Sequence, residues 1–160
     1  MRVLSNQIDR AAWRNTITYR AFPRLTVGLE YNPIAKDVGP LVNFVAMTET
    51  HKRPALIIGT SSDRIGTPEG RSFYATFSKD LTESTGLPIA PYVGYSYGQF
   101  DDHGRVIGGM NVTFNEWMQG QVIYDGQKIH PMINFSFGRH QLGVLFAQGK
   151  NPGVSYSISF

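Results

Sequence analysis

The sequence predicts an all-β fold, an antiparallel up-and-down transmembrane barrel of about 12 strands. Three observations predict it. First, residues 153–160 alternate without a slip, with Val154, Tyr156, Ile158 and Phe160 on one side and Gly153, Ser155, Ser157 and Ser159 on the other. Successive strand side chains take opposite faces, so this strand has one greasy face and one small, uncharged polar face that suits a confined interior better than bulk water. Second, charged residues make up only 17% of the chain, below the quarter or so of an ordinary soluble domain. Third, the same period-two alternation recurs between turn residues over most of the 160 residues, with no convincing amphipathic helix.

Read in order, the alternating segments are 13–20, 25–31, 41–48, 55–61, 72–79, 89–99, 105–114, 118–124, 131–138, 141–148 and 153–160. Each is close to the about 9–11 residues that cross a bilayer when tilted. Paired strands must show their apolar residues on one side, which gives a test by register. Around Ala21-Phe22-Pro23, Ile17 and Tyr19 can face Val27 and Leu25, which sets Trp13 opposite Tyr31 and Arg14 opposite Glu30. Val112 and Phe114 match Gly120 and Met118; Ile133, Phe135 and Phe137 match Phe146, Val144 and Leu142 around an Arg139-His140 turn; Val144 and Phe146 match Tyr156 and Val154. Phe160 closes the lipid-facing set. The inward set is Arg14, Thr18, Thr26, Glu30, Asn43, Tyr74, Thr76, Ser78, Asn111, Thr113, Gln119, Gln121, Asn134, Ser136, Ser155 and Ser157. It consists chiefly of hydroxyls and amides, so the expected lumen is wet or hydrogen-bonded.

The 11 segments leave an odd count, whereas single-chain bacterial barrels normally have an even one. Residues 3–9 are expected to supply the twelfth strand, within a single barrel domain over 1–160 whose first 12 residues are a poorly defined segment or extra strand. With the C-terminus on the periplasmic side, the turns at Ala21, Asn115 and Arg139 lie there and are short, while 49–54 and 80–88 are longer. The segments 32–40, 62–71, 100–104, 125–130 and 149–152 fall on the outer side. Trp13, Tyr31, Tyr97, Phe100, Trp117, Tyr124 and Phe160 sit near strand ends, where interfacial girdles are expected.

Composition narrows the function classes. Mean hydropathy is −0.21 and no apolar run reaches the about 18 residues of a membrane helix. The segment 1–14 is charged and lacks an apolar signal core, so an exported barrel of this sequence is expected to be a mature form or a piece of a longer chain. Net charge is +3 with a pI near 9.3, but the basic residues are scattered, with nothing denser than His51-Lys52-Arg53, and no nucleic-acid partner is expected. There is no Cys, which removes thiol catalysis, disulfides and Cys-based zinc sites.

Several segments resemble bacterial outer-membrane barrels, and more narrowly the exopolysaccharide-associated group. They are Phe22-Pro23-Arg24-Leu25-Thr26-Val27-Gly28-Leu29-Glu30-Tyr31, Arg53-Pro54-Ala55-Leu56-Ile57-Ile58-Gly59, Ser72-Phe73-Tyr74-Ala75-Thr76-Phe77-Ser78-Lys79, Gly108-Gly109-Met110-Asn111-Val112, Ile123-Tyr124-Asp125-Gly126 and the terminal strand. That strand is similar to the signal read by the outer-membrane insertion machinery. The resemblance implies an outer-membrane location, a lipid bilayer and insertion machinery as partners, and a part in moving or anchoring surface polysaccharide. It brings no catalytic residues.

Chemical motifs are sparse. His51, His103, His130 and His140 all fall at expected turns or loop mouths, and Asp101-Asp102-His103 reads as a solvated loop rather than a metal site. Ser96 and Ser136 have no histidine at matching depth, so a Ser–His hydrolase is not expected. In Gly66-Thr67-Pro68-Glu69-Gly70 no helix follows and Pro68 removes a donor, so this is no phosphate cradle. The expectation is a non-enzymatic outer-membrane barrel with no metal and no cofactor, acting as a narrow pore or as an accessory subunit beside other envelope subunits. Two alternatives stand beside it. A soluble lipocalin-like calyx would bind a small hydrophobic ligand and carry charge outside. An outer-membrane hydrolase would gather Asp101, Asp102, His103 and His130 at one rim.

Overall fold

In a computed structural model, residues 1–5 and 9–160 are described. The elements run β1 (Arg2–Leu4), α1 (Asp9–Ala12), β2 (Trp13–Phe22), β3 (Leu25–Asn32), β4 (Asp37–Met47), β5 (Ala55–Ser62), β6 (Arg71–Ser78), α2 (Thr82–Thr85), β7 (Ile89–Gly98), β8 (His103–Asn115), β9 (Met118–Tyr124), β10 (Ile129–Phe137), β11 (His140–Ala147) and β12 (Asn151–Ile158). Each strand pairs antiparallel with its sequence neighbours, and β1 closes the ring by pairing with both β12 and β2. The fold is therefore a closed, all-β barrel of 12 strands, an architecture in which no sheet edge need be left over.

The twelfth strand is shorter and earlier than 3–9. It covers Arg2–Leu4, and the chain enters α1 at Asp9; positions 6–8 lie outside the described residues. Three hairpin registers differ from the sequence reading by two residues. Ile17 pairs with Leu29 and Tyr19 with Val27, so Tyr31 faces Asn15 rather than Trp13 and Glu30 faces Thr16 rather than Arg14. The turn is Pro23-Arg24 rather than Ala21-Phe22-Pro23, and a one-residue bulge between Arg20 and Phe22 sets the register beyond it. In the β10–β11 hairpin Phe137 pairs with His140, so the turn is Gly138-Arg139, with Gly138 at φ +61. A two-residue hairpin turn needs positive φ, which glycine reaches without the Cβ clash that Arg139 or His140 would suffer. The next hairpin follows suit, pairing Val144 with Val154 and Leu142 with Tyr156. In β8–β9, Val112 pairs with Gly120 as expected, but a bulge replaces Phe114 by Asn115 opposite Met118. Shifts of two leave every side chain on its face, because the strand period is two.

One rim carries connections 33–36, 63–70, 99–102, 125–128 and 148–150; the other carries 23–24, 48–54, 79–88, 116–117 and 138–139. The first rim is filled from inside. Leu4, Ala11, Leu145 and Ala147 form a small buried cluster, with Ile65 and Met132 packed on it, and α1 touches β1, β2 and β3. At the other rim the inward positions Thr18, Arg20, Thr113 and Ser157 are exposed. The tube is thus plugged at one end and open at the other.

The seam at β1 depends on a close approach. A side chain at Gly153 would overlap Leu4 and meet the Val3 carbonyl oxygen at 2.6 Å. Gly153→Val is expected to cost about 1–3 kcal/mol by overpacking and to raise amide exchange of Val3 and Leu4 while β5–β7 stay protected. Equal loss of protection around the whole barrel would refute a local seam.

Candidate functional site

The interior is built by one parity of every strand. Arg14, Asn43, Tyr74, Thr76, Gln119, Gln121, Asn134 and Ser155 line a central cavity of about 810 Å³, and Ser157 lines an adjoining one of about 420 Å³. The remaining positions of the inward set share that parity. Thr18 is opposite Gly28, Thr26 opposite Asn43, Asn111 opposite Gln121, Thr113 opposite Gln119 and Ser136 opposite the cavity-lining Gln141. Ser78 is opposite Tyr92, which also lines the cavity. Glu30 is 1% exposed at the plugged rim.

Two tyrosines lie flat against this wall because glycine leaves room beneath them. A Cβ on Gly59 would stand 2.6 Å from the Tyr74 hydroxyl, and one on Gly109 2.7 Å from that of Tyr92. The Tyr74 hydroxyl then donates to Asn43 Oδ1 at 2.6 Å. Sequence reasoning missed an apolar strip on the same parity. Ile57, Ile107, Ile123, Met132 and Leu145 face the cavity beside the amides. An isoleucine flanked by polar residues marks no face by itself; the signal is that Ile107 and Ile123 share the parity of Gln121 and Asn111.

Arginines organise the plugged rim. Arg14 Nη2 reaches Glu30 Oε2 at 2.5 Å, diagonally across the pair rather than directly opposite as the sequence suggested. Asn32 Nδ2 donates to the other oxygen of Glu30 at 3.0 Å. Arg71 Nη2 donates to the Val38 carbonyl at 2.8 Å, with its guanidinium lying where a side chain at Gly39 would stand. Arg10, 4% exposed, donates to the carbonyls of Gly70 at 2.8 Å and Asp63 at 3.3 Å and to the Thr67 hydroxyl. The guanidinium fork, with five donors in a plane, is suited to gathering several carbonyls at once. It ties the 63–70 loop down onto α1.

The four histidines divide between the rims, His103 and His130 at the plugged one, His51 and His140 at the other. His130 lies at a loop mouth, as the sequence suggested, one residue into β10 after the 125–128 turn, but it is 3% exposed and faces into the tube. Its Nδ1 accepts the Gln148 backbone N–H at 3.0 Å, so in the neutral ring the proton sits on Nε2, which donates to Asp125 Oδ2 at 2.8 Å. Both ring nitrogens are occupied and neither is left to take a proton from a nucleophile. Asp101 binds Arg64 at 3.1 Å and also Arg105, Asp102 accepts from Tyr97, and His103 is exposed. His51 meets Glu83 at 3.5 Å, and His140 meets the Tyr156 hydroxyl at 2.7 Å. Ser96 meets Ser72 at 2.5 Å. Among the described residues no three His, Asp or Glu side chains converge as a metal set would.

The outward parity is apolar. Ile17 and Tyr19 are 73% and 72% exposed, and Phe114, Ile133, Phe137, Leu142, Val144, Phe146, Val154, Tyr156, Ile158 and Phe160 are exposed as well. Leu25, Val27, Val112 and Phe135 are half-buried by their neighbours. Exposed Val38, Phe44, Ile58, Phe73, Phe77, Val93, Tyr95, Val106 and Val122 carry the band around the rest of the ring. In the described strands no Asp, Glu or Lys occupies an outward register position. Arg71, at the first position of β6, turns its guanidinium onto the Val38 carbonyl. Trp13, Tyr31, Tyr97, Phe100 and Tyr124 are exposed near the plugged rim, and Phe22, Trp117 and Phe137 near the open one. No protein-family model matches the chain, and no curated protein or solved structure is significantly similar to it.

Two outcomes are expected. Replacing Arg10 by Gln removes donors from the buried Asp63 carbonyl and the Thr67 hydroxyl and leaves the Gly70 carbonyl with the Asp63 N–H, at a cost of about 1–3 kcal/mol. Amide exchange across 63–70 should accelerate before that of β6 or β7. The second concerns acid. Burial alone would raise the Asp125 carboxyl, but the hydrogen bond from His130 and the N–H groups of Lys128 and Gln127 outweigh it and hold it below the ordinary carboxylate value. A group depressed in the folded state stabilises above its unfolded pKa, and that stabilisation is lost as pH falls through the folded value. The 125–128 turn should therefore loosen below about pH 4, and Asp125→Asn should remove that dependence from the exchange profile of Gln127 and Lys128.

Proposed function

We propose that this protein is a non-enzymatic barrel of the bacterial outer membrane, a narrow pore closed at one rim that serves an envelope assembly. The observation that carries the reading is the continuous outer band of apolar side chains, free of outward Asp, Glu and Lys in the described strands. A monomeric soluble protein rarely exposes a contiguous apolar patch beyond a few hundred Å², whereas hydrocarbon accepts such a band at no cost. Aromatic residues near both rims fit the two headgroup levels. A calyx would need the opposite arrangement, with its greasy face inside and charge outside.

A lumen of about 810 Å³ lined by amides, hydroxyls and arginines beside a strip of isoleucines, Met132 and Leu145 suits water and small solutes with both polar and apolar parts. With one rim filled by α1 and the 63–70 loop the tube would not thread a folded or branched polymer, so a part in handling surface polysaccharide would be that of an anchor or accessory subunit. Passage through the tube requires the 63–70 loop and α1 to move, which makes a closed resting state the expected one.

The chain has two tryptophans, Trp13 near the plugged rim and Trp117 near the open one, so quenching by brominated lipid reads both levels. Reconstituted in vesicles, both should be quenched most by bromines placed near the headgroups and least by bromines near the acyl chain ends. Fluorescence indifferent to brominated lipid, from protein that stays monomeric in buffer without detergent, would refute the membrane reading.

A further inference from the structure

We propose that the inner wall at the β1–β2 seam is a binding site for a phosphate-class oxyanion, held between Arg2 and Arg14. The two residues are direct partners across the β1–β2 ladder, so their side chains leave the same face side by side, and both line the cavity of about 420 Å³ that opens toward Ser157. Like charges directly opposite one another on a sheet repel, and a wall position gains nothing from them unless something between them is negative. Glu30 does not fill that place. Its two oxygens meet Arg14 and Asn32, and among the described side chains no carboxylate forms an ion pair with Arg2, so Arg2, Arg14 and Glu30 together carry one net positive charge.

The Nε atoms of Arg2 and Arg14 are buried with no hydrogen-bond partner, as is Glu30 Oε2. An Nε closed off from the cavity meets an anion only if its side chain turns, so an oxyanion is expected to draw both guanidinium forks into charge-assisted bonds as it binds. Hydroxyls stand around the gap from different directions. Ser155 approaches from β12 and Thr16 from β2, Gly143 leaves Ser155 Oγ room to lie against the wall, and Ser157 on the same lining already donates to Gln141 Oε1 at 3.4 Å. Donors converging from several sides suit a tetrahedral anion better than a planar one. The site belongs to the closed tube itself and stands whether or not lipid surrounds the barrel.

The test uses purified protein in neutral detergent, with inorganic phosphate and chloride compared at equal ionic strength. Phosphate should raise the unfolding midpoint saturably and chloride should not. Arg2→Gln should weaken the phosphate effect at least tenfold, Arg2→Lys only a few-fold, and Arg20→Gln, exposed toward the open rim, not at all. The wild-type contrast between the two anions needs no variant, so a misfolded Arg2→Gln would not obscure the answer. A second arm replaces detergent by phosphatidylcholine vesicles with and without phosphatidylglycerol. Stabilisation by free phosphate in detergent assigns a dissolved solute, and stabilisation only with the anionic lipid assigns a headgroup. The proposal is overturned if neither appears, or if a folded Arg2→Gln retains whichever effect the wild type shows.

Discussion

A ladder that closes on itself gives each side chain two destinations, into the tube or away from it, and a residue that changes sides must carry its whole strand along. That constraint governs the molecule. Hydrogen bonds to both neighbours fix each strand in azimuth, the pleat fixes alternate side chains in or out, and what remains for the sequence is to decide which chemistry goes where. Ile17, Tyr19 and Leu29 look out while Arg14, Glu30 and Asn43 look in, with no intermediate layer. A sandwich has a dry centre between two sheets; here the only compact apolar cluster, among the described residues, is the handful around Leu4, Ala11 and Leu145 at one rim.

Charge follows the same partition and then concentrates. Arg10, Arg14, Arg64, Arg71 and Arg105 come together with Glu30, Asp37, Asp63 and Asp101 near the plugged rim. Buried charge is tolerable only when paired and hydrogen-bonded, and here the pairing tethers loops to wall. Asp101, drawn below its ordinary pKa chiefly by its hydrogen bonds from Arg105, joins the 99–102 connection to the 63–70 loop through Arg64. The same rim that carries most of the ionic contacts carries the plug.

The alternation made the fold legible because it is a property of backbone geometry, indifferent to details of the turns. Faces could be read for Val144, Tyr156, Asn134 and Ser155 even though their cross-strand partners were misread by two positions. Register was harder because it is set at the turn. The choice between Arg139-His140 and Gly138-Arg139 rests on one glycine's positive φ, and the bulges near Ala21 and Phe114 leave no mark in a hydrophobicity pattern. Two features escaped altogether. The four-residue α1 is too short to show a helical period, and Arg2 in a three-residue strand has too few neighbours for alternation to declare which way it faces. His130 looked like a loop residue because the strand around it begins only at Ile129.

The first dozen residues serve two structures at once. Arg2–Leu4 is a stave of the wall, and Arg10 and Ala11, a short way along the same chain, are the stopper in the bore. Closure of the ring and filling of its rim therefore draw on neighbouring residues, so a change that parts β1 from β12 is expected to bear on the seat of Arg10, and one that clamps Arg10 to bear on the seam.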